Sequence, residues 1–259
     1  MKLGISKNFV EAVRLGWIMG FMDFMILGVG SRIGRWWPSI GLAIRIAFVG
    51  LSFGLVLGAR PADYLPWLAT GWAVWGMISS TLTNSDAALS SNKDMMLALA
   101  MPKEAFVVRV IVKELMLLIQ NSVVVFPVVL LAGVGIRFEF LLLIPGLAIT
   151  AVFLYGLGLV LAPLVARFKD FGPLFSSIIG VMFFVLPIMW RPESIQSELA
   201  HLILGLNPLY HYLQIIRLPL LGESPTNLNY LLATIGAAAI LTAGTFVMKK
   251  TRDKIVYWV

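Results

Sequence analysis

The sequence predicts an all-α integral membrane protein, and three features carry that prediction. Of its 259 residues 59% are hydrophobic and only 13% charged, whereas a soluble domain needs roughly 25% charged residues to cover its surface. Mean hydropathy is +0.92. The apolar residues fall in blocks of about 20, the length a helix needs to cross a bilayer at ~1.5 Å rise per residue. No cysteine is present, so neither a disulfide framework nor a thiolate metal site is available. The first apolar stretch, 17–30, is interrupted by Asp23 and lacks a small-residue cleavage site, which predicts a retained N-terminus rather than a signal peptide.

The periodicity of residues 5–27 predicts a helix lying on the membrane. Phe9, Val13, Trp17, Phe21 and Phe24 recur on one face, and Lys7, Glu11 and Arg14 form a polar stripe on another, the pattern of an interfacial amphipathic helix. Arg32, Arg35, Trp36 and Trp37 then mark a lipid–water boundary, where basic and aromatic side chains both prefer to reside. Six spans are expected, at 38–58, 64–84, 106–133, 140–164, 173–190 and 230–248. Short turns, 59–63 and 133–139, separate the first from the second and the third from the fourth. A polar link with Arg167, Lys169 and Asp170 precedes the fifth, and a charged tail, 249–259, follows the sixth. The proline-rich stretch 191–227 predicts short amphipathic or re-entrant helices. The whole chain, 1–259, is expected to be one transmembrane domain, with 1–37 as its interface helix.

Lys and Arg placement orients these spans. With the N-terminus inside, the inner segments collect Lys2, Lys7, Arg14, Arg32, Arg35, Lys93, Lys103, Arg109, Lys113, Arg167, Lys169 and the four basic residues of the tail. The outer segments hold only Arg60, Arg137, Arg191 and Arg217. By the positive-inside rule both termini are expected in the cytoplasm.

Enzyme-like strings find better explanations in the spans. Gly50-Leu51-Ser52-Phe53-Gly54 matches a nucleophile elbow, but that motif needs a strand-to-helix turn. Here, with Gly58, it reads as a small-residue packing face. His201 and His211 are the only histidines and have no metal-ligand spacing, and no phosphate-binding GxxxxGK[ST] string occurs. No catalytic residue and no cofactor are expected in this chain.

The remaining candidates concern transport or docking. Arg45 is the one charge well within a span, roughly 10 Å deep by helix rise. Two readings stay open, an arginine snorkelling to the headgroups or a cation facing an internal path to meet an anionic group. Trp67, Trp72 and Trp75 on the second span and Phe175, Phe183 and Phe184 on the fifth fit lipid contact or helix packing. They also fit an aromatic path for sugar rings, since Trp72 and Trp75 share a face near mid-span. The segment 85–105 reads as a short cytoplasmic helix over 92–100, with Met95, Met96, Leu97 and Leu99 exposed. Apolar side chains on a cytoplasmic loop predict docking to another protein, and methionine suits such a pocket.

An amphipathic N-terminal helix, a cytoplasmic helix ending in Met101-Pro102-Lys103-Glu104, Arg167-Phe168-Lys169-Asp170 before the fifth span and Phe184-Val185-Leu186-Pro187-Ile188 near its end follow one another here. Asn207-Pro208-Leu209, Arg217 and Gly222 come after them. This order resembles the membrane subunit of type-2 ABC exporters of polysaccharides such as O-antigen, capsule and teichoic acid. The resemblance implies a homodimeric channel in the bacterial cytoplasmic membrane, with two copies of a separate ATPase subunit that bind ATP and Mg. It implies a coupling helix carrying Asn92, Lys93, Asp94, Met95, Met96, Met101, Lys103 and Glu104, and an external gate with Asn207, Pro208 and Arg217. The implied substrate is a polysaccharide on a polyprenyl-pyrophosphate carrier, with Arg32, Arg35 and Arg45 as candidates for the pyrophosphate. Rival expectations are a type-2 exporter of lipids or drugs, an intramembrane glycosyl or acyl transferase, and a scaffold subunit.

Overall fold

The computed structural model describes residues 2–56, 58, 60–98, 101–135, 137–194 and 196–258. Ala59 of the expected first turn, Leu99 and Ala100 of the expected cytoplasmic helix, and the side chains of Lys2, Lys7 and Leu97 lie outside the described residues. The described residues contain no strand and form α1 (Lys2–Met25), α2 (Trp37–Val56), α3 (Pro61–Asp86), α4 (Lys93–Ala98), α5 (Glu104–Leu131), α6 (Leu143–Arg167), α7 (Phe171–Val185), α8 (Glu198–Leu206), α9 (Pro208–Leu220), α10 (Asn227–Thr251) and α11 (Ile255–Trp258).

Among the described residues four stretches are long and apolar enough to cross a membrane: Gly34–Val56, Glu104–Leu131, Phe138–Arg167 and Asn227–Thr251. Together with the composition they make this an all-α, multi-pass membrane protein. The other two expected spans differ from these for separate reasons. Helix α3 is 26 residues long but carries Thr70, Ser79, Ser80, Thr81, Thr83, Asn84 and Ser85. It can do so because it is the axis of the bundle, touched by α2, α5, α6, α7 and α9, and its side chains meet protein rather than lipid. Helix α7 has 15 residues, about 22 Å of rise. It stops where Leu186 turns extended (φ −78°, ψ 147°), since a residue before proline is pushed out of the helical region.

Small residues fix the closest helix approaches. Helix α1 turns its seam of Ala12, Gly16 and Gly20 onto α5 and leaves Phe9, Val13, Trp17 and Phe21 exposed. A Cβ on Gly16 would lie 2.5 Å from the Cβ of Val108, and one on Gly20 2.4 Å from the Arg109 carbonyl oxygen. Between α6 and α10, a Cβ on Gly244 would lie 2.2 Å from the Gly156 carbonyl. The expected Gly50–Gly54–Gly58 face is shorter than its spacing suggests. Gly50 does sit against Leu65 of α3, but α2 ends at Val56 and Gly58 has φ +61°, a left-handed turn position beyond the helix.

The stretch between α7 and α10 folds back as two helices of opposite character. Helix α8 exposes Leu199, Leu202, Ile203 and Leu206, whereas α9 buries every side chain from His211 to Arg217. Asn207 starts α9 by accepting the backbone N–H of Leu209 at 3.0 Å, with Pro208 at the first helical position, where its missing N–H costs nothing. His211 ties this corner to α10, its ring nitrogens lying 2.9 Å from Asn229 Oδ1 and 2.9 Å from the Gly205 carbonyl.

Candidate functional site

Helix α3 places Trp72, Gly76, Ser79, Ser80 and Thr83 at intervals of three and four residues, hence along one face. That face forms the back wall of a cavity of about 530 Å³ closed by α2, α5 and α7. Arg45 enters it from α2, Glu114 and Asn121 from α5, and Ser176 and Phe183 from α7. The Arg45 guanidinium donates to the Gly41 carbonyl at 3.1 Å and lies 5.7 Å from the Trp72 ring. Trp72 in turn meets Phe183, with ring centroids 5.6 Å apart. The cleft thus combines a cation, an aromatic pair and a line of hydroxyls.

Glu114, only 4% exposed, supplies the acidic side of the same cleft. It accepts from Asn84 Nδ2 at 3.2 Å and lies 3.7 Å from Lys113 Nζ. Gln120 and Asn121 hold the start of α2 against α5. Ser39 donates to Asn121 Oδ1 at 2.8 Å, and Gln120 Nε2 donates to Ser39 Oγ at 3.0 Å and to the Arg35 carbonyl at 2.9 Å.

A second cavity, about 590 Å³, lies beside the first and shares Ser176 with it. Lys93 and Lys169 line it together with Ser90, Pro173 and Trp258. From sequence, Lys93 is expected in the docking segment and Lys169 in a polar link. The structure puts both on one wall, with Ser176 as the junction to Arg45's cleft.

The other sequence candidates are distributed elsewhere. Arg32 lines a separate shallow cavity with Ser31 and Trp37. Arg35 points at Met25 Sδ, 3.3 Å away, and at the Phe24 ring, so neither joins Arg45. Trp75 lines the cleft, but Trp67 lies apart from it under Arg217 and Arg191, at 4.1 and 5.2 Å from its ring centroid. Phe175 packs against the main core, and Phe184 is 72% exposed, edge-on to Phe183. Arg217 is completely buried and donates to the Pro187 carbonyl at 2.6 Å, while its Nε and Nη2 have no hydrogen-bond partner among the described residues. Gly71 makes room for it, since a Cβ there would lie 1.8 Å from Nη2.

The expected coupling segment divides into an outward and an inward set. Lys93, Asp94 and Met95 are exposed. Met96 corrects the expectation of an exposed side chain: it is 8% exposed and packs in the main core. Met101 is half-buried. Lys103 is buried and donates its Nζ to the Arg252 carbonyl, and burial together with the Arg252 charge lowers its pKa below the usual lysine value. Glu104 faces a further cavity shared with α1, α6 and α10. Asn92 is the anchor, accepting from Arg109 Nη1 at 2.8 Å, while the same guanidinium holds Asp23 of α1 at 2.5 and 2.8 Å. One arginine on α5 therefore grips both α1 and the turn into α4.

Sequence reading had not placed Glu114, the hydroxyl stripe or the Asp23–Arg109–Asn92 link. The stripe has a local signal in Ser and Thr repeating at helical spacing within an otherwise apolar span, and the link has one in Asp23, a charge inside an apolar stretch.

The O-antigen export system permease protein RfbA of Myxococcus xanthus is similar to this chain, 23% identical over 185 residues that cover 70% of each protein. Residues 30–221, which run from the turn before α2 to the end of α9 and take in the whole cleft, match the ABC-2 type transporter family. The chain belongs to the ABC-2 type transporter family and is a membrane-embedded permease subunit.

Proposed function

We propose that this permease exports a polysaccharide carried on a polyprenyl pyrophosphate, across the bacterial cytoplasmic membrane and outward. The observation that carries the reading is the convergence of Arg45, Trp72 and Phe183 in one cleft. Arginine presents a planar fork of donors that suits phosphate oxygens, and flat aromatic faces suit the C–H faces of sugar rings. The hydroxyls of Ser79, Ser80 and Thr83 offer exchangeable hydrogen bonds to sugar hydroxyls passing along α3. Lys93 and Lys169 provide a cationic approach at the basic end of the molecule. The permease similarity to an O-antigen export protein supports the substrate class.

In this reading two copies form the channel, each with six spans counting α3 and α7, and both termini face the cytoplasm. A separate ATPase subunit binds each copy through Lys93, Asp94 and Met95, and ATP with Mg acts there. The Asp23–Arg109–Asn92 link passes the ATPase's motion into α1 and α5, because a partner can shift the permease only by binding one of its conformations more tightly. Helices α8 and α9, with Asn207, Pro208 and Arg217, form the outer gate.

The test is purification with the ATPase encoded beside the gene, comparing wild type with Met95→Asp, followed by assay of lipid-linked polysaccharide transport in vesicles. Wild type is expected to give a two-plus-two complex with polysaccharide-dependent transport, and Met95→Asp to release the ATPase from a folded permease. A permease that never binds an ATPase, or a complex that moves lipid or drug but no polysaccharide, would refute the proposal.

A further inference from the structure

Glu104 opens α5 with one carboxylate oxygen, Oε2, buried and without a hydrogen-bond partner among the described residues. Lys103, Lys249 and Arg252 lie near Glu104, and among the described residues none forms an ion pair with it. Its neighbour Lys103 gives its Nζ to the Arg252 carbonyl instead, and no ion pair joins Glu104 to Lys249 or Arg252 among the described residues.

Glu104 also lines a cavity of about 390 Å³, within the usual range of ~300–1,000 Å³ for small-molecule sites. Glu104 and the phenol of Tyr155 lie on its wall, as do Lys249 and Arg252, and Phe9 and Met248 supply apolar surface. It runs alongside the α6–α10 contact at Gly156 and Gly244, whose missing side chains hold those two helices together. Phe9 on its wall is 54% exposed, so the cavity opens at the protein surface beside an apolar side chain of α1. A ligand here therefore has a cationic end for Glu104, an anionic end for Lys249 and Arg252, and an apolar portion that continues into the bilayer.

We infer that this cavity is a binding site for an aminophospholipid, with phosphatidylethanolamine as the fitting headgroup. Its ammonium donates to the cavity-facing part of the Glu104 carboxylate and to the Tyr155 hydroxyl oxygen, and its phosphate accepts from Lys249 and Arg252. The glycerol and first methylenes run over Phe9 and Met248. Phosphatidylcholine has no N–H to donate and phosphatidylglycerol has no cation, so Glu104 discriminates against both. The lipid would join the interface helix α1 to α10 at the basic end of the bundle, independently of what the Arg45 cleft carries.

The experiment is native mass spectrometry of the purified permease in micelles holding equal amounts of phosphatidylethanolamine, phosphatidylglycerol and phosphatidylcholine. Wild type is expected to keep phosphatidylethanolamine about tenfold over either competitor, the scale of a charge-assisted hydrogen bond. Glu104→Gln should abolish that preference, Glu104→Asp should keep most of it, and Lys249→Ala/Arg252→Ala should lose all three lipids. Thermal unfolding of each variant reports folding, and Glu104→Asp serves as the folded control if Glu104→Gln does not accumulate. Equal retention of the three lipids by wild type, or an unchanged preference in folded Glu104→Gln, would overturn the inference.

Discussion

The Arg217 guanidinium lies 4.1 Å from the centre of the Trp67 ring, and this cation–π contact holds α9 against α3. No described carboxylate forms an ion pair with Arg217, whose other contacts are the Pro187 carbonyl at 2.6 Å and the space left by Gly71. A desolvated cation over tryptophan is worth about 2 kcal/mol or more, and it replaces the charge partner that a buried arginine would otherwise need. Removing the tryptophan should therefore do more harm than removing the charge. Trp67→Ala is expected to cost about 3–5 kcal/mol, and Arg217→Met far less. Unfolding in detergent should show the double variant to be more stable than Trp67→Ala alone. A double variant weaker than both singles would mean that the ring acts through packing only.

Gly71 gives a second check on the same contact. With Arg217 present, Gly71→Ala puts a methyl group 1.8 Å from Nη2 and should destabilise by about 1–3 kcal/mol through overpacking. In the Arg217→Met background the same change should be nearly silent, read as the shift in unfolding midpoint.

Arg45 is expected to act on substrate rather than on folding, because it is exposed to the cleft and among the described residues hydrogen-bonds only within its own helix, at Gly41, with a long 5.7 Å contact to the Trp72 ring. Arg45→Ala should leave the unfolding midpoint within about 0.5 kcal/mol of wild type and reduce transport at least about tenfold. Arg45→Lys should recover only part of the loss, since an ammonium lacks the bidentate fork. Undiminished export by Arg45→Ala would remove this residue from the path.

Ser176 lies where the two cavities meet. A bulky side chain there should plug the junction while leaving Asp94 and Met95, which do not line either cavity, in place. For Ser176→Trp we expect a folded permease that still binds its ATPase, with transport reduced severalfold, and Ser176→Ala should transport normally. Normal flux in the tryptophan variant would mean that the cavities do not form one route.

The link from Asp23 through Arg109 to Asn92 predicts uncoupling. Asp23→Asn should weaken the α1–α5 pair by about 1–3 kcal/mol, the range for a charged hydrogen bond. It should raise ATP hydrolysis relative to polysaccharide moved, measured on the same vesicles. The exchange of Asp23→Arg with Arg109→Asp should restore part of the ratio if the pairing itself transmits the motion.

Composition and the spacing of apolar blocks were enough to establish a helical membrane protein and to place its long helices within a few residues, though not α8, α9 or α11, because a helix in lipid must satisfy its own backbone and show the bilayer an apolar surface. The same rule hid the status of α3. A helix enclosed by protein is freed from it, so serines and threonines collected there and lowered its hydropathy. Local periodicity also identified Arg45, Trp72 and Trp75 as unusual for mid-span positions. The tertiary structure decided which candidates meet. It joined Arg45 to Phe183 across well over a hundred residues, separated Arg32 and Arg35 from them, turned Met96 inward and buried Arg217 over Trp67. Those outcomes depend on which glycines allow two backbones to touch and how the helices rotate about those contacts. A single helix's pattern records which face is apolar, but not which neighbour that face will meet.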